Sequence, residues 1–246
     1  MELLYGRRPV YETLRAGRRR NQRLILSEGL KKDDLLDSIQ NLAQSCGLPV
    51  RLLPRAAFTG LLGDVNHQGV AVETGPYPYA EPEAITACAK RRQEPPFLLV
   101  LDHIQDPQNL GSIFRSAEAA GIHGVIIPDR RAAEVTPAVV RASAGASEHL
   151  AVMRVVNLVN AMNTLKQEGL WLAGLDAGPD SKLYTEADLT GPLALVIGSE
   201  GDGLGRLVGE TCDFRIRLPM LGQVGSLNAG VAAAIALYEV RRRRQA

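Results

Sequence analysis

The chain has 246 residues, 46% of them apolar and 22% charged, with a net charge of +1, as expected of a soluble globular protein with room for a sizeable core. Its three cysteines (Cys46, Cys88, Cys212) lie far apart with no CxxC pair, which argues against a zinc site and for reduced thiols. No apolar run approaches the roughly 18 residues of a membrane span, and the start MELLYGRRPV lacks a signal-peptide core, so a cytoplasmic chain is expected.

Residues 1–75 read as a small α/β unit. A short helix is predicted around 7–16, then a strand at RLIL (23–26). A helix follows through DDLLDSIQNLAQSCG, where Leu35, Ile39 and Leu42 recur at helical spacing and Gly47 supplies the stop. Strands at PVRLL (49–53) and QGVAVET (68–74) complete the unit. Residues 1–23 hold seven arginines against Glu2 and Glu12, and the chain closes on Arg241–Arg244. Basic ends on a near-neutral protein suit a polyanion, because each phosphate neutralised releases counterions. The C-terminal run reads equally well as a solvated tail.

Residues 76–96 contain five prolines and mixed charge and read as a linker with a helical turn or two. From 97 onward apolar strand candidates alternate with helical patterns: FLLVLD (97–102), a helix over 109–120 stopped by Gly121, GVIIP (124–128), LWLAGLD (170–176), LALVIGS (193–199) and FRIRLP (214–219). That alternation predicts an α/β fold with a mostly parallel sheet covered on both faces.

Ligands of such sheets bind in the loops after the strands, and three loops are candidates. In the first, Asn109 opens a helix and Arg115 follows about one turn in, off the packing face; a solvated helix arginine is the plain alternative. In the second, IGSEGDGLG (197–205), the glycines free the backbone to approach a ligand and Glu200 sits among them. It is neither a dinucleotide fingerprint nor a phosphate loop. The third is GQVGSLNAGVAAAIALYE (222–239), where Ser226 and Asn228 are at least helix caps. The four histidines are scattered, so no metal site is expected, and no GxSxG elbow appears.

Together and in this order, NLGSIFRSAEAAG, LALVIGSEGDGLG and IRLPMLGQVGSLNAGVAAAIALYE resemble the three motifs of the SpoU (TrmH) branch of the SPOUT RNA methyltransferases. The likeness extends through the connecting segments and, more loosely, through residues 1–75. It is greatest to enzymes that methylate a guanosine ribose 2′-oxygen in 23S rRNA. The resemblance implies a parallel sheet whose C-terminal segment forms a deep trefoil knot, binding of S-adenosylmethionine (AdoMet) within that knot, and a homodimer meeting through the knot region. It implies that residues 1–75 are an RNA substrate-binding domain and 97–246 the methyltransferase domain, acting on rRNA or a ribosomal precursor particle. Arg7, Arg8, Arg18, Arg19 and Arg20 would then contact RNA.

Carried over by position, Asn109, Arg115, Glu200, Ser226 and Asn228 are the expected catalytic residues. AdoMet contacts are expected at Ile197, Gly198, Leu218, Met220, Gly222 and Leu227. Gly230 departs from the family's usual serine. A guanidinium is a poor proton acceptor, so the reading preferred for Arg115 is a phosphate clamp that stabilises the forming alkoxide, with that phosphate or Glu200 taking the proton. Methylation of tRNA by the same chemistry and a non-catalytic RNA-binding protein are the alternatives.

Overall fold

The computed structural model describes residues 1–245. Its first stretch contains β1 (Glu2–Tyr5), α1 (Arg7–Ala16), β2 (Asn21–Ser27), α2 (Asp34–Ser45), β3 (Val50–Leu53), α3 (Arg55–Leu62) and β4 (Val70–Thr74). Next come α4 (Pro82–Arg92), β5 (Phe97–Leu101), α5 (Pro107–Ala119), β6 (Gly124–Pro128), α6 (Pro137–Ala142) and a 3₁₀ turn (Ala146–His149). The chain continues through β7 (Val152–Val155), α7 (Leu158–Gln167), β8 (Trp171–Leu175), β9 (Lys182–Leu183), β10 (Leu193–Ile197), α8 (Arg206–Thr211), β11 (Phe214–Arg217) and α9 (Ala229–Gln245). None of the described helices is long and apolar enough to cross a membrane.

The chain divides into two units. The first comprises Met1–Pro78 together with Val135–His149, and the second Tyr79–Glu134 together with residues 150–245. Segment 135–149 thus leaves the sequence run of the larger unit to pack with the first. In the first unit the sheet order is β1-β4-β2-β3, with β4 antiparallel to both neighbours and β2 parallel to β3. Arg19 joins the returning segment to this sheet. Its buried guanidinium meets Glu148 at 2.7 and 3.0 Å and Glu2 at 2.5 Å, and Glu148 is itself 1% exposed. Arg18 donates to the Glu148 and Pro78 carbonyls, and its guanidinium lies over the Tyr77 ring.

In the second unit seven parallel strands run in the order β7-β6-β5-β10-β8-β11-β9. The apolar runs of β5 and β10 lie side by side at the centre, Leu99 opposite Leu195, and both are buried throughout. Alternate residues therefore serve opposite faces. Leu98, Val100, Ala194 and Val196 join Leu158, Met162 and Leu165 of α7 and Val208 of α8 in one core cluster. On the other face α5 contributes Leu110, Ile113, Phe114 and Ala117, and packs against α9.

The stretch 76–96 is more ordered than a linker. Pro82 stands in the first turn of α4, where its missing N–H costs nothing, and Ile85 packs into the core against Gly124. The C-terminal arginines are neither a free tail nor a free cationic patch. Arg241 caps the Ala120 and Gly121 carbonyls beside Glu94, and Arg244 donates to Pro95, Pro96 and Gly191 over the Phe97 ring. Arg242 and Arg243 both pair with Glu239, holding its carboxyl down at about 2.

Candidate active site

From β5 the chain moves outward to β6 and β7, and on its other side β5 borders β10. The strands stay parallel, but the order in which they are added across the sheet reverses at the β5–β10 pair, and ligands bind at the carboxyl ends of strands at such a point. The three candidate loops leave β5, β10 and β11 there.

The loop after β10 turns back on itself, with Ser199 and Gly203 bridged through both backbone N–H groups. A Cβ on Gly198 would sit 2.1 Å from the Gly203 carbonyl, so this turn can close only on glycine. At the start of α9 the Asn228 Oδ1 accepts the Gly230 N–H at 2.9 Å and the Val231 N–H at 3.3 Å, which is a helix cap. The same side chain spends its Nδ2 elsewhere. It donates to Asn109 Oδ1 at 2.7 Å and to Glu200 Oε2 at 3.2 Å, while Asn109 Nδ2 donates to the same Glu200 oxygen at 2.9 Å. Asp106 caps α5, accepting the Gln108 and Asn109 N–H groups, and so fixes the backbone from which Asn109 reaches. Three residues separated by up to 119 positions thus close one hydrogen-bonded trio at the strand ends.

Glu200 borders two cavities, and Asn109 the larger of them. One, of about 300 Å³, is lined by Ile197, Gly198, Leu218, Met220, Ser226 and Leu227 among others, with Asp176, Glu200 and Asp202. The other, of about 640 Å³, is lined by His103, Gln105, Asp106, Asn109, Arg131 and Glu200; both share Ser199, Glu200, Asp202 and Gly203. The first suits AdoMet. Apolar side chains and exposed backbone fit a nucleoside, and the three carboxylates, which outnumber the one cation of the wall (Arg217), fit a sulfonium.

Of the residues expected from sequence, Asn109, Glu200 and Asn228 converge, and Ser226 faces the smaller cavity. Five of the six expected cofactor contacts line that cavity; Gly222 does not. Arg115 is not one turn into its helix but nine residues in, about 9 Å along α5 from Asn109. It is exposed, and its side chain has no hydrogen bond or ion pair to any described residue. Among the arginines expected to meet RNA, Arg19 is wholly buried and committed to Glu148 and Glu2, so that expectation fails for it. Arg7 is tied to Asp33 and the Lys31 carbonyl, and Arg18 to Glu148; Arg8 and Arg20 are exposed. Gly230 has a local reason. A Cβ there would meet Ser112 Oγ at 2.8 Å and Asn228 Oδ1 at 3.1 Å, so a side chain at 230 requires the Ser112 hydroxyl of α5 to move aside. Sequence reasoning passed over Asp102, His103, Asp176 and Arg131. Asp102 and Asp176 each follow directly on an apolar strand, the one signal that was available.

Residues 96–238 match the family described as SpoU rRNA Methylase, and residues 3–80 match RNA 2′-O ribose methyltransferase substrate binding. A TrmH family tRNA/rRNA methyltransferase of Staphylococcus saprophyticus is 45% identical over 98% of this chain and 96% of its own. The SpoU methyltransferase AviRb of Streptomyces viridochromogenes, solved in complex with AdoMet, is 28% identical with a TM-score of 0.81, covering 99% of this chain and 90% of that one. The A. aeolicus TrmH/SpoU tRNA modifying enzyme is 25% identical with a TM-score of 0.56, and covers 65% of this chain and 84% of its own. Fold and site are those of an AdoMet-dependent RNA 2′-O-ribose methyltransferase. The chain belongs to the SpoU rRNA methylase family.

Proposed function

We propose that the protein methylates the ribose 2′-oxygen of a guanosine in 23S rRNA, free or within a precursor particle. The observation that carries the reading is the Asn109–Glu200–Asn228 trio, set between a cavity suited to AdoMet and a larger one open to a nucleotide. The choice of rRNA is supported by the family's description and by the N-terminal unit, which matches a substrate-binding family of its own. The likeness to the tRNA modifying enzyme spans only 65% of this chain.

AdoMet supplies an activated methyl group, so the protein's work is to hold the ribose, disperse charge and manage a proton. Backbone and apolar groups of Ile197, Gly198, Leu218, Met220 and Leu227 hold the cofactor, with Ser226 beside them. The trio fixes the Asn109 amide and the Glu200 carboxylate in the wall of the nucleotide cavity. Arg115, a free cation, grips an RNA phosphate, and Arg8 and Arg20 add contacts from the first unit. The target base leaves its RNA stack to enter the cavity, which suits a loop better than a duplex.

The protein acts as a homodimer through α9, folded into a trefoil knot. On α9, Val231, Ile235 and Tyr238 recur at helical spacing and are 47%, 37% and 53% exposed, an apolar face of the kind that a second copy covers. Sedimentation at micromolar concentration is expected to give a dimer, and Ile235→Asp a monomer.

The activity is tested with tritiated-methyl AdoMet on total RNA from cells lacking the protein, followed by mapping of the labelled nucleotide. Label on a guanosine ribose of 23S rRNA is expected. Label in tRNA would overturn the choice of substrate, and label on a base would overturn the chemistry.

A further inference from the structure

Asp102 follows β5 directly and is 1% exposed. One of its carboxylate oxygens accepts the Gly205 N–H at 2.8 Å, tying the β5 loop to the glycine-rich loop. The other meets Nδ1 of His103. His103 has φ +57°, a left-handed conformation that non-glycine residues adopt uncommonly and that gathers at functional sites. An imidazole nitrogen facing a carboxylate carries the proton, which leaves Nε2 with a lone pair. Nε2 has no partner among the described residues, and the side chain is 42% exposed in the wall of the larger cavity, with Asn109 and Glu200.

The other candidates to accept a proton are differently employed. Oε2 of Glu200 already receives two amide donors, which suits it to fixing Asn109 and Asn228. Arg115 is a guanidinium, and it stands away from the trio.

We propose that His103 takes the proton of the ribose 2′-hydroxyl at Nε2, with Asp102 as its positioning residue. The inference rests on the ribose-methylation reading above. As the 2′-oxygen bonds to the methyl carbon of AdoMet, the carbon–sulfur bond breaks with its electron pair left on sulfur, and the hydroxyl proton passes to Nε2. One positive charge is thereby lost at the sulfonium and one gained at the imidazolium, which Asp102 faces. The charged groups around the ring are Asp102 after β5, Asp106 at the start of α5, Arg131 after β6, and Glu200 and Asp202 after β10.

Two measurements on the full-length protein decide the matter. Nitrogen-15 NMR of the His103 ring without RNA is expected to show the Nδ1–H tautomer, and Asp102→Asn to shift it toward Nε2–H. Single-turnover methyl transfer by His103→Asn, a residue that tolerates the left-handed backbone, is expected to fall about a hundredfold. Affinities for AdoMet and for RNA should be unchanged, and the unit-slope acid limb of the wild-type pH–rate profile should vanish. An Nε2–H tautomer in the wild type, or full activity in His103→Asn, overturns the assignment. If the wild type methylates no ribose at all, the functional reading fails instead, and the tautomer still decides whether the Asp102–His103 pair is built as a base.

Discussion

The arginine cluster of the first unit and the polar trio of the second differ in where their partners lie. Arg19 looks from sequence like a cation awaiting a polyanion, but its carboxylate stands 129 residues away, on a segment that returns to the same unit. Asn228 looks like a helix cap and is one, but its second amide edge belongs to a site assembled from three loops. Charge density proved the poorer guide to what a side chain meets. Residue type at the carboxyl end of a central strand was the better one, because the sheet's topology dictates what meets there.

The comparison breaks most visibly at Arg19. Arg19→Ala leaves Glu148 buried without its partner, and loss of about 3–5 kcal/mol from the first unit is expected, measured by denaturant unfolding. Replacing both residues with leucine should restore most of it. If Arg19→Ala instead unfolds like the wild type and loses RNA affinity, the arginine is an RNA ligand after all.

A second test lies under the C-terminal arginines. His123 is buried and accepts the Phe97 N–H at Nδ1; burial, with Arg92 and Arg241 nearby, brings its pKa down to about 4. The unfolded chain, near 6.5, then binds the proton first. Stability is full above about 6.5 and falls as pH drops toward 4, by on the order of 3 kcal/mol. His123→Gln should flatten that slope in thermal unfolding between pH 7 and 4. An unchanged slope would assign it to other groups.

The smallest effect sharpens the contrast. Arg8 and Arg20 are the exposed ones among the five arginines expected to meet RNA, and changing both to alanine should leave unfolding within about 0.5 kcal/mol. RNA affinity should fall, with the salt dependence shallower by about one counterion per residue. An unaltered salt dependence would exclude both from the RNA contact.

Much of this was legible in the chain. The apolar runs of β5, β6, β8 and β10 announce a buried parallel sheet, and three motifs mark the loops at its carboxyl ends. Four elements carry too little pattern to read. The strand Val152–Val155 fully buries only its first residue, Lys182–Leu183 is too short for a period, Glu2–Tyr5 is four residues long, and α3 buries only Phe58. In α4 the surrounding prolines masked a helix that one of them starts. Of the site, Asn109, Glu200 and Asn228 could be named, but not that one carboxylate oxygen would hold both amides. Asp102 stands at the end of an apolar strand, but its pairing with His103 could not be found, since it depends on a positive φ that histidine does not announce.

The trio itself is tested most directly by Asn228→Asp, with unfolding and single-turnover methyl transfer to 23S rRNA measured on the same preparation. Aspartate caps α9 as well as asparagine does, so its thermal midpoint should match the wild type. It cannot donate to Asn109, and it sets a second carboxylate against Glu200, so methyl transfer is expected to fall by about two orders of magnitude. Full activity in Asn228→Asp would contradict the reading of the trio as a chemical unit and return Asn228 to the status of a cap.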